Sequence, residues 1–255
     1  MADLARDKGV LGVVGTQARM APEIRQLCDL VAEGYVGEVL STTLVGTGGN
    51  WGPVIQTANA YTLEDANGAT LLTIPLGHTL AALTQALGPV ASVSATLGHR
   101  RTTALNVDTG QIVAMTAADQ VLAYGELVGG APLSIHYRGG SSRGPGLLWE
   151  INGTEGDIRI SGPSGHTQMV PLSLSGGRGD DKTLEPLPLT AAYAADAGDG
   201  PVIGNVRRLY AALARDLRFG TREAPRFEDA VAIHQIIAAI EATAGTHAAV
   251  RPDMM

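Results

Sequence analysis

VLAYGELVGGAPLSIHYRGGSSRGPGLLWEINGTEGDIRI, residues 121–160, sets apolar side chains at every second position and breaks at glycine-bearing turns. A period of two sends alternate side chains to opposite faces, so Val121–Val128, Leu133–Tyr137, Leu147–Ile151 and Asp157–Ile160 read as strands. Working outward, Val90–Leu97, Ile112–Met115 and Met169–Leu174 carry the same texture. Many short strands, several close enough to form hairpins, predict one large, mostly antiparallel open sheet. The flanks change period. Pro22 opens a helix carrying Ile24, Leu27, Cys28, Leu30 and Val31 and closed by Gly34; Ala69–Leu87 reads as a second. Asn205–Phe219 shows a stripe of Val206, Leu209, Tyr210, Leu213 and Leu217. Phe227–Ala244 shows Val231, His234, Ile237, Ala238 and Glu241 in similar register. An open sheet needs one face covered, so the expectation is an α+β fold, a large mostly antiparallel open sheet with helices packed on one face, as a single domain over 1–255. Val10–Gly15, wholly apolar, reads as a short strand buried on both faces.

Composition narrows the function. The chain has 255 residues, 45% of them hydrophobic but only 4% aromatic, so the core must be aliphatic. A formal charge of −7 without a basic block argues against nucleic acid as the main partner. The apolar stretches are too short for a membrane span, and Asp3, Arg6, Asp7 and Lys8 interrupt any leader-like apolar run. One cysteine, Cys28, excludes an internal disulfide and fits a reducing, cytoplasmic setting. No histidine spacing supports a metal site. Lys8 and Lys182 are the only lysines, against sixteen arginines.

Several segments then become recognisable together: VVGTQARMAPEI (13–24), LVAEGYVGEVLS (30–41), GHTLAALTQALGPVASVSA (77–95), INGTEGDIRISG (151–162), GNVRRLYAALARDL (204–217) and APRFEDAVAIHQIIAAIE (224–241). In this order they resemble the C-terminal, substrate-binding and oligomerisation domain of the Gfo/Idh/MocA oxidoreductase family. ATLLTIPLGH (69–78) resembles the branch that holds the yeast galactose-regulon co-repressor. The resemblance implies that residues 1–15 correspond to the tail of a Rossmann domain that this chain lacks. No G-x-G-x-x-G opens a helix after a strand, and neither lysine has the context of the family's E-K-P motif. The expected cofactor is therefore none, with NAD(P) relevant only if a separate Rossmann domain is supplied. By the match, His78 is the histidine of D-x-x-x-H, a catalytic or substrate-hydroxyl group, although the aspartate four residues earlier is Ile74 here and the one often found three residues later is Ala81.

Other candidates follow from position. Gln17 and Arg19 lie between a strand and a helix, where α/β folds place ligand groups, with pairing of Arg19 to Glu23 as the structural alternative. Asn50, Trp51 and Tyr61 sit in an unusually long aromatic loop. His136 and Tyr137, like Trp149 and Glu150, alternate on strands, so one of each pair should face the helices and one the open face. All nine are expected to bind substrate. His99, His166 and His247 are expected at the surface, His234 in the core or an interface, and Arg207, Arg208 and Arg215 on a solvated face.

Three functions fit these residues. One is a substrate-binding domain for a small polyhydroxylated or cyclic ligand, without its own dinucleotide site. The second is a cofactor-independent isomerase, lyase or cyclase that uses the same cavity. The third is a non-enzymatic ligand sensor or regulator. The expected partners are a small molecule and further copies of the chain, as a homodimer or homotetramer through the sheet face. Neither nucleic acid nor membrane is expected.

Overall fold

The computed structural model describes residues 1–245. In chain order, α1 (Ala2–Asp7) and α2 (Pro22–Ala32) precede β1 (Val39–Gly48) and β2 (Val54–Ile55). Helix α3 (Gly77–Leu87) leads into β3 (Val90–Gly98), β4 (Thr103–Asn106), β5 (Ile112–Ala114), β6 (Gln120–Leu127) and β7 (Pro132–Gly139). Then come β8 (Leu147–Gly153), β9 (Gly156–Gly162), β10 (Ser173–Arg178), β11 (Glu185–Pro186), α4 (Ala191–Ala194), α5 (Gly200–Phe219) and α6 (Phe227–Thr243).

Eight strands form one sheet in the order β11-β10-β9-β8-β1-β7-β6-β3, and β2-β4-β5 make a small second sheet. Within the large sheet β1 and β7 run parallel while the other pairs are antiparallel. The period-two reading holds along β7: Leu133, Ile135 and Tyr137 are buried, whereas Ser134 is exposed and His136 and Arg138 are half-buried on the opposite face. Ile24 and Leu27 of α2, Leu80 and Leu83 of α3, and Ile233, Ile237 and Ile240 of α6 join those strands in one core. The α+β fold with helices on one sheet face is thus as the alternation predicts.

Differences from the sequence reading have identifiable causes. Val10–Gly15 is not a buried strand. Val10 is exposed, and Val13 makes only an isolated bridge to Arg226. A run apolar on all sides needs strands on both flanks; here the segment bonds to the 225–227 turn, through Val14 N–H to the Pro225 carbonyl and Phe227 N–H to the Gly12 carbonyl, and Val13 packs half-buried against Met20, Leu209, Ala212 and Ala224. The strand expected at Met169–Leu174 begins instead at Ser173. Helix α5 does not present its stripe inward: Val206, Tyr210 and Leu217 are exposed, while Asn205, Arg208 and Asp216 are buried. Periodicity reveals that a stripe exists but not which neighbour it meets. Only Leu209, Ala212 and the half-buried Leu213 touch a small cluster with Met20 and Ala224, and the polar residues bond backbone instead. Arg208 donates to the Met20 and Asp196 carbonyls and to Asn205 Oδ1, so it is no solvated cation. Helix α6 likewise turns Ile233 and Ile237 inward and leaves His234 exposed.

Candidate functional site

His78 sits one residue into α3, directly after a π-helical turn at Leu72–Leu76 that contains Pro75. Such one-turn irregularities change which side chains follow on one face. Here the next residue, Thr79, is buried and works as a junction. Its hydroxyl donates to the Pro75 carbonyl at 3.0 Å, meets Thr167 Oγ1 at 3.1 Å and accepts from the Tyr137 hydroxyl at 2.7 Å. Tyr137 also reaches the Gly165 carbonyl at 3.1 Å. Helix start, strand β7 and the loop after β9 are therefore tied together by hydroxyls in a dry interior, where such bonds are costly to leave unmade.

Glycine makes that closeness possible. A Cβ on Gly165 would fall 2.7 Å from both Thr47 N and the Tyr137 ring. A Cβ on Gly139 would fall 2.0 Å from the Trp51 carbonyl oxygen, so the Trp51 turn lies across the end of β7. Trp51 is fully buried, donates from Nε1 to the Thr62 carbonyl at 2.9 Å and stacks on His166, with ring centroids 6.2 Å apart. His166 is thus half-buried against an indole, not a surface residue as its loop position suggests. The contact that decides this is 115 residues away in sequence.

His166 acts electrostatically on His78. Burial, with His166 adding to it, lowers the His78 pKa to about 4, and burial lowers that of His166 as well. Both rings are therefore neutral near pH 7. Nδ1 of His78 is buried without a hydrogen-bond partner, as is Oε1 of Gln168. Gln168 Nε2 stands 3.5 Å from His166 Nδ1, and the Gln168 backbone carbonyl accepts from Asn205 Nδ2 at 3.2 Å. The result is a neutral group of two imidazoles and an amide, rich in donors and acceptors, with no carboxylate holding either ring.

Removing the Tyr137 hydroxyl tests how firmly this junction is held. Tyr137→Phe is expected to cost about 1–2 kcal/mol, because Thr79 and Gly165 lose a buried donor. Urea denaturation followed by circular dichroism measures it, and a cost below about 0.5 kcal/mol would mean that the junction carries no weight.

The remaining sequence candidates scatter. Arg19 donates to Gln85 Oε1 at 2.9 Å and pairs with Asp229 at 3.4 Å, rather than with Glu23, beside a cleft of about 430 Å³ between α3, β3 and α6. Gln17 and Asn50 are half-buried, and Tyr61 is exposed on a 3₁₀ turn. Trp149 is core, with Nε1 donating to Thr42 Oγ1, so it meets no ligand surface. His136 and Glu150 lie on the open sheet face, away from His78. Glu150 pairs there with Arg159 at 2.7 Å, at a polar cleft of about 660 Å³. The structure therefore gathers His78 and Tyr137, with Trp51 behind them, and adds His166, Gln168, Thr79 and Thr167. Thr79 lies within GHTLAALTQALGPVASVSA (77–95), whereas His166, Thr167 and Gln168 fall in PSGHTQ (163–168), just outside every recognisable segment. His247 lies outside the described residues. Among the described residues, no three His, Cys, Asp or Glu side chains group to hold a metal, and no helix is long and apolar enough to cross a membrane. Cys28 is buried enough to push its thiol up to about 11, which makes it a poor nucleophile.

A dinucleotide does not fit these residues. Pyrophosphate is held by a glycine-rich turn running from a parallel strand into a helix N-terminus. Here β1 leads into the Trp51 turn and β7 into the loop before β8, while in the small sheet β2 leads into a 3₁₀ turn at Thr57–Leu63 and β4 into the turn before β5, so neither parallel pair offers such a cradle. We assign no step to that cofactor.

A family model described as the Gal80p C-terminal domain (Gal80p_C-like) matches residues 22–162. The galactose/lactose metabolism regulatory protein GAL80 of Saccharomyces cerevisiae is 30% identical over 250 residues, covering 87% of this chain and 56% of that protein. The chain thus spans little more than half of that relative. The crystal structure of a super-repressor mutant of Gal80p from S. cerevisiae (E351K) superposes with a TM-score of 0.82 at 25% identity, over 94% of this chain and 65% of the other. An NAD binding oxidoreductase from Klebsiella pneumoniae shares the fold, with a TM-score of 0.77 at 21% identity over 96% of this chain and 67% of that one.

Proposed function

Because the chain belongs to the Gal80p C-terminal-domain family, whose fold is that of the Gfo/Idh/MocA-type oxidoreductases, we propose that it is a ligand-binding domain which senses a small, neutral, polyhydroxylated molecule at His78 and does not transfer protons to it. The observation that carries this reading is the state of His78: neutral, unoriented by any carboxylate, and with an unpartnered buried Nδ1. A general acid or base works best with a pKa near the working pH, and one near 4 leaves almost no imidazolium at pH 7. A neutral imidazole can still accept or donate a hydrogen bond, as sugar and polyol hydroxyls require. The regulatory name of the GAL80 relative favours sensing over turnover.

Titration of the full chain with neutral hexoses and polyols, read by tryptophan fluorescence and calorimetry, tests this. Trp51 stacks on His166 and should report occupancy. Saturable binding that His78→Ala weakens about tenfold or more, with no product formed, is expected. Absence of binding to every neutral sugar and polyol, or unchanged binding in His78→Ala, would overturn the proposal; turnover lost in His78→Ala would favour the cofactor-independent enzyme instead.

A further inference from the structure

Two segments that carry recognition groups are joined by one pair of buried hydroxyls. Thr79 follows His78 on α3, and Thr167 lies between His166 and Gln168 in the loop after β9; both threonines are fully buried. Their Oγ1 atoms are 3.1 Å apart. A threonine hydroxyl offers one proton and two acceptor positions. The Thr79 proton goes to the Pro75 carbonyl at 3.0 Å, and the Tyr137 hydroxyl at 2.7 Å fills one acceptor position. Thr167 is therefore the donor in the remaining contact, which leaves Thr79 saturated.

The rest of the loop is tied elsewhere. Gly165 N–H and the Ser164 hydroxyl donate to the Thr47 carbonyl on β1, at 2.9 and 3.3 Å, and the Gln168 backbone carbonyl accepts from Asn205 on α5. Among the described residues, Thr167 supplies the one side chain of 163–168 that bonds α3. Neighbouring residues on a helix lie about 100° apart around its axis, so pinning Thr79 sets the direction in which His78 leaves the first turn of α3. Pinning Thr167 likewise sets the backbone between His166, stacked on Trp51, and Gln168. Among the described residues no carboxylate or cation bonds either imidazole, so no ion pair holds the two segments together.

We propose that Thr167 is a positioning residue: through the Thr79 hydroxyl it holds His166 and Gln168 against the His78 turn, and so keeps the recognition site dry. That role rests on the sensing site proposed above, but it can be read without any ligand. A freed loop lets water reach both rings, and a hydrated imidazole titrates near 6.5. Loss of the Thr167 hydroxyl orphans no donor, because Thr79 keeps its bonds to Pro75 and Tyr137. Loss of the Thr79 hydroxyl would instead strand the Thr167 and Tyr137 donors in the interior, a cost to folding that hides any effect on position. Thr167→Val, close in shape, is therefore the sharper probe.

The test uses the full chain labelled with ¹⁵N-histidine, with the His78 ring assigned from its loss in His78→Gln. Between pH 5 and 8 that ring is expected to stay neutral in the parent chain, whose His78 titrates at about 4. In Thr167→Val it should titrate inside that window, a rise of about one unit or more, while the urea midpoint at pH 7.5 stays at the parent value. Thr167→Ser, which returns the hydroxyl, should return the neutral ring. Binding of neutral polyols should weaken several-fold in the valine variant and recover in the serine one. Thr167→Ala carries the same expectation as Thr167→Val should the latter not fold. A lower urea midpoint with His78 still neutral above pH 5 would make Thr167 a purely structural residue and overturn the proposal. So would a serine variant that titrates like the valine one. A parent chain whose His78 titrates above pH 5 would overturn it together with the dry state of the site. Polyol binding absent from the parent would sink the sensing function alone, because the ring titration decides the role of Thr167 without a ligand.

Discussion

Trp51→Ala is expected to lower the folding free energy by about 4 kcal/mol, within the range for truncating a fully buried aromatic. The indole is wholly buried, and its loss leaves the Thr62 carbonyl without its Nε1 donor and His166 without the ring it stacks on. The cavity has little chance to collapse, because Gly139 and Gly48 already pack against the Trp51 turn at the limit of approach. Urea denaturation by circular dichroism gives the number. Tyr61→Ala, in the same loop but exposed, should stay within about 0.5 kcal/mol. A Trp51→Ala cost below about 1 kcal/mol would show that the loop is not anchored by this residue.

The second large effect depends on pH. In the unfolded chain His78 titrates near 6.5, and in the folded chain at about 4. Above pH 6.5 the ring is neutral in both states and contributes no difference. As pH falls below 6.5 the unfolded state takes up the proton first, so stability drops until the folded ring also protonates near pH 4. The full loss is about 3 kcal/mol by linkage. His78→Gln should therefore lose about 2–3 kcal/mol less than the parent chain when denatured at pH 4.5 rather than 7.5. Burial of His166 acts in the same direction, so some pH dependence should survive the substitution. Identical acid sensitivity in the two proteins would contradict a neutral, desolvated His78.

These two residues show how differently sequence and structure speak. His78 was visible as a candidate because ATLLTIPLGH carries a family position, and the missing carboxylates at Ile74 and Ala81 were equally visible. That absence already argued against proton transfer. Trp51 was visible only as a rare aromatic in a long loop, which suggested a ligand contact. Its burial depends on the Gly139 backbone and on Thr62, neither of which local pattern connects to it. His166 illustrates the opposite error: a loop histidine looks exposed until the tertiary fold closes the loop onto an indole.

The sequence by itself determined the sheet, the α+β class and the family, because alternation, turn glycines and ordered motifs are properties of neighbours along the chain. Within these 255 residues it also shows no G-x-G-x-x-G turn and no lysine in an E-K-P context, since both can be read directly. Only the tertiary structure decided which faces meet. Periodicity of α5 and α6 marks stripes without saying whether Arg208 or Tyr210 turns inward, and alternation on β7 separates Tyr137 from Arg138 without naming the partner of either. Partners are set by packing between segments far apart in sequence, where one glycine's missing Cβ decides whether two backbones can touch.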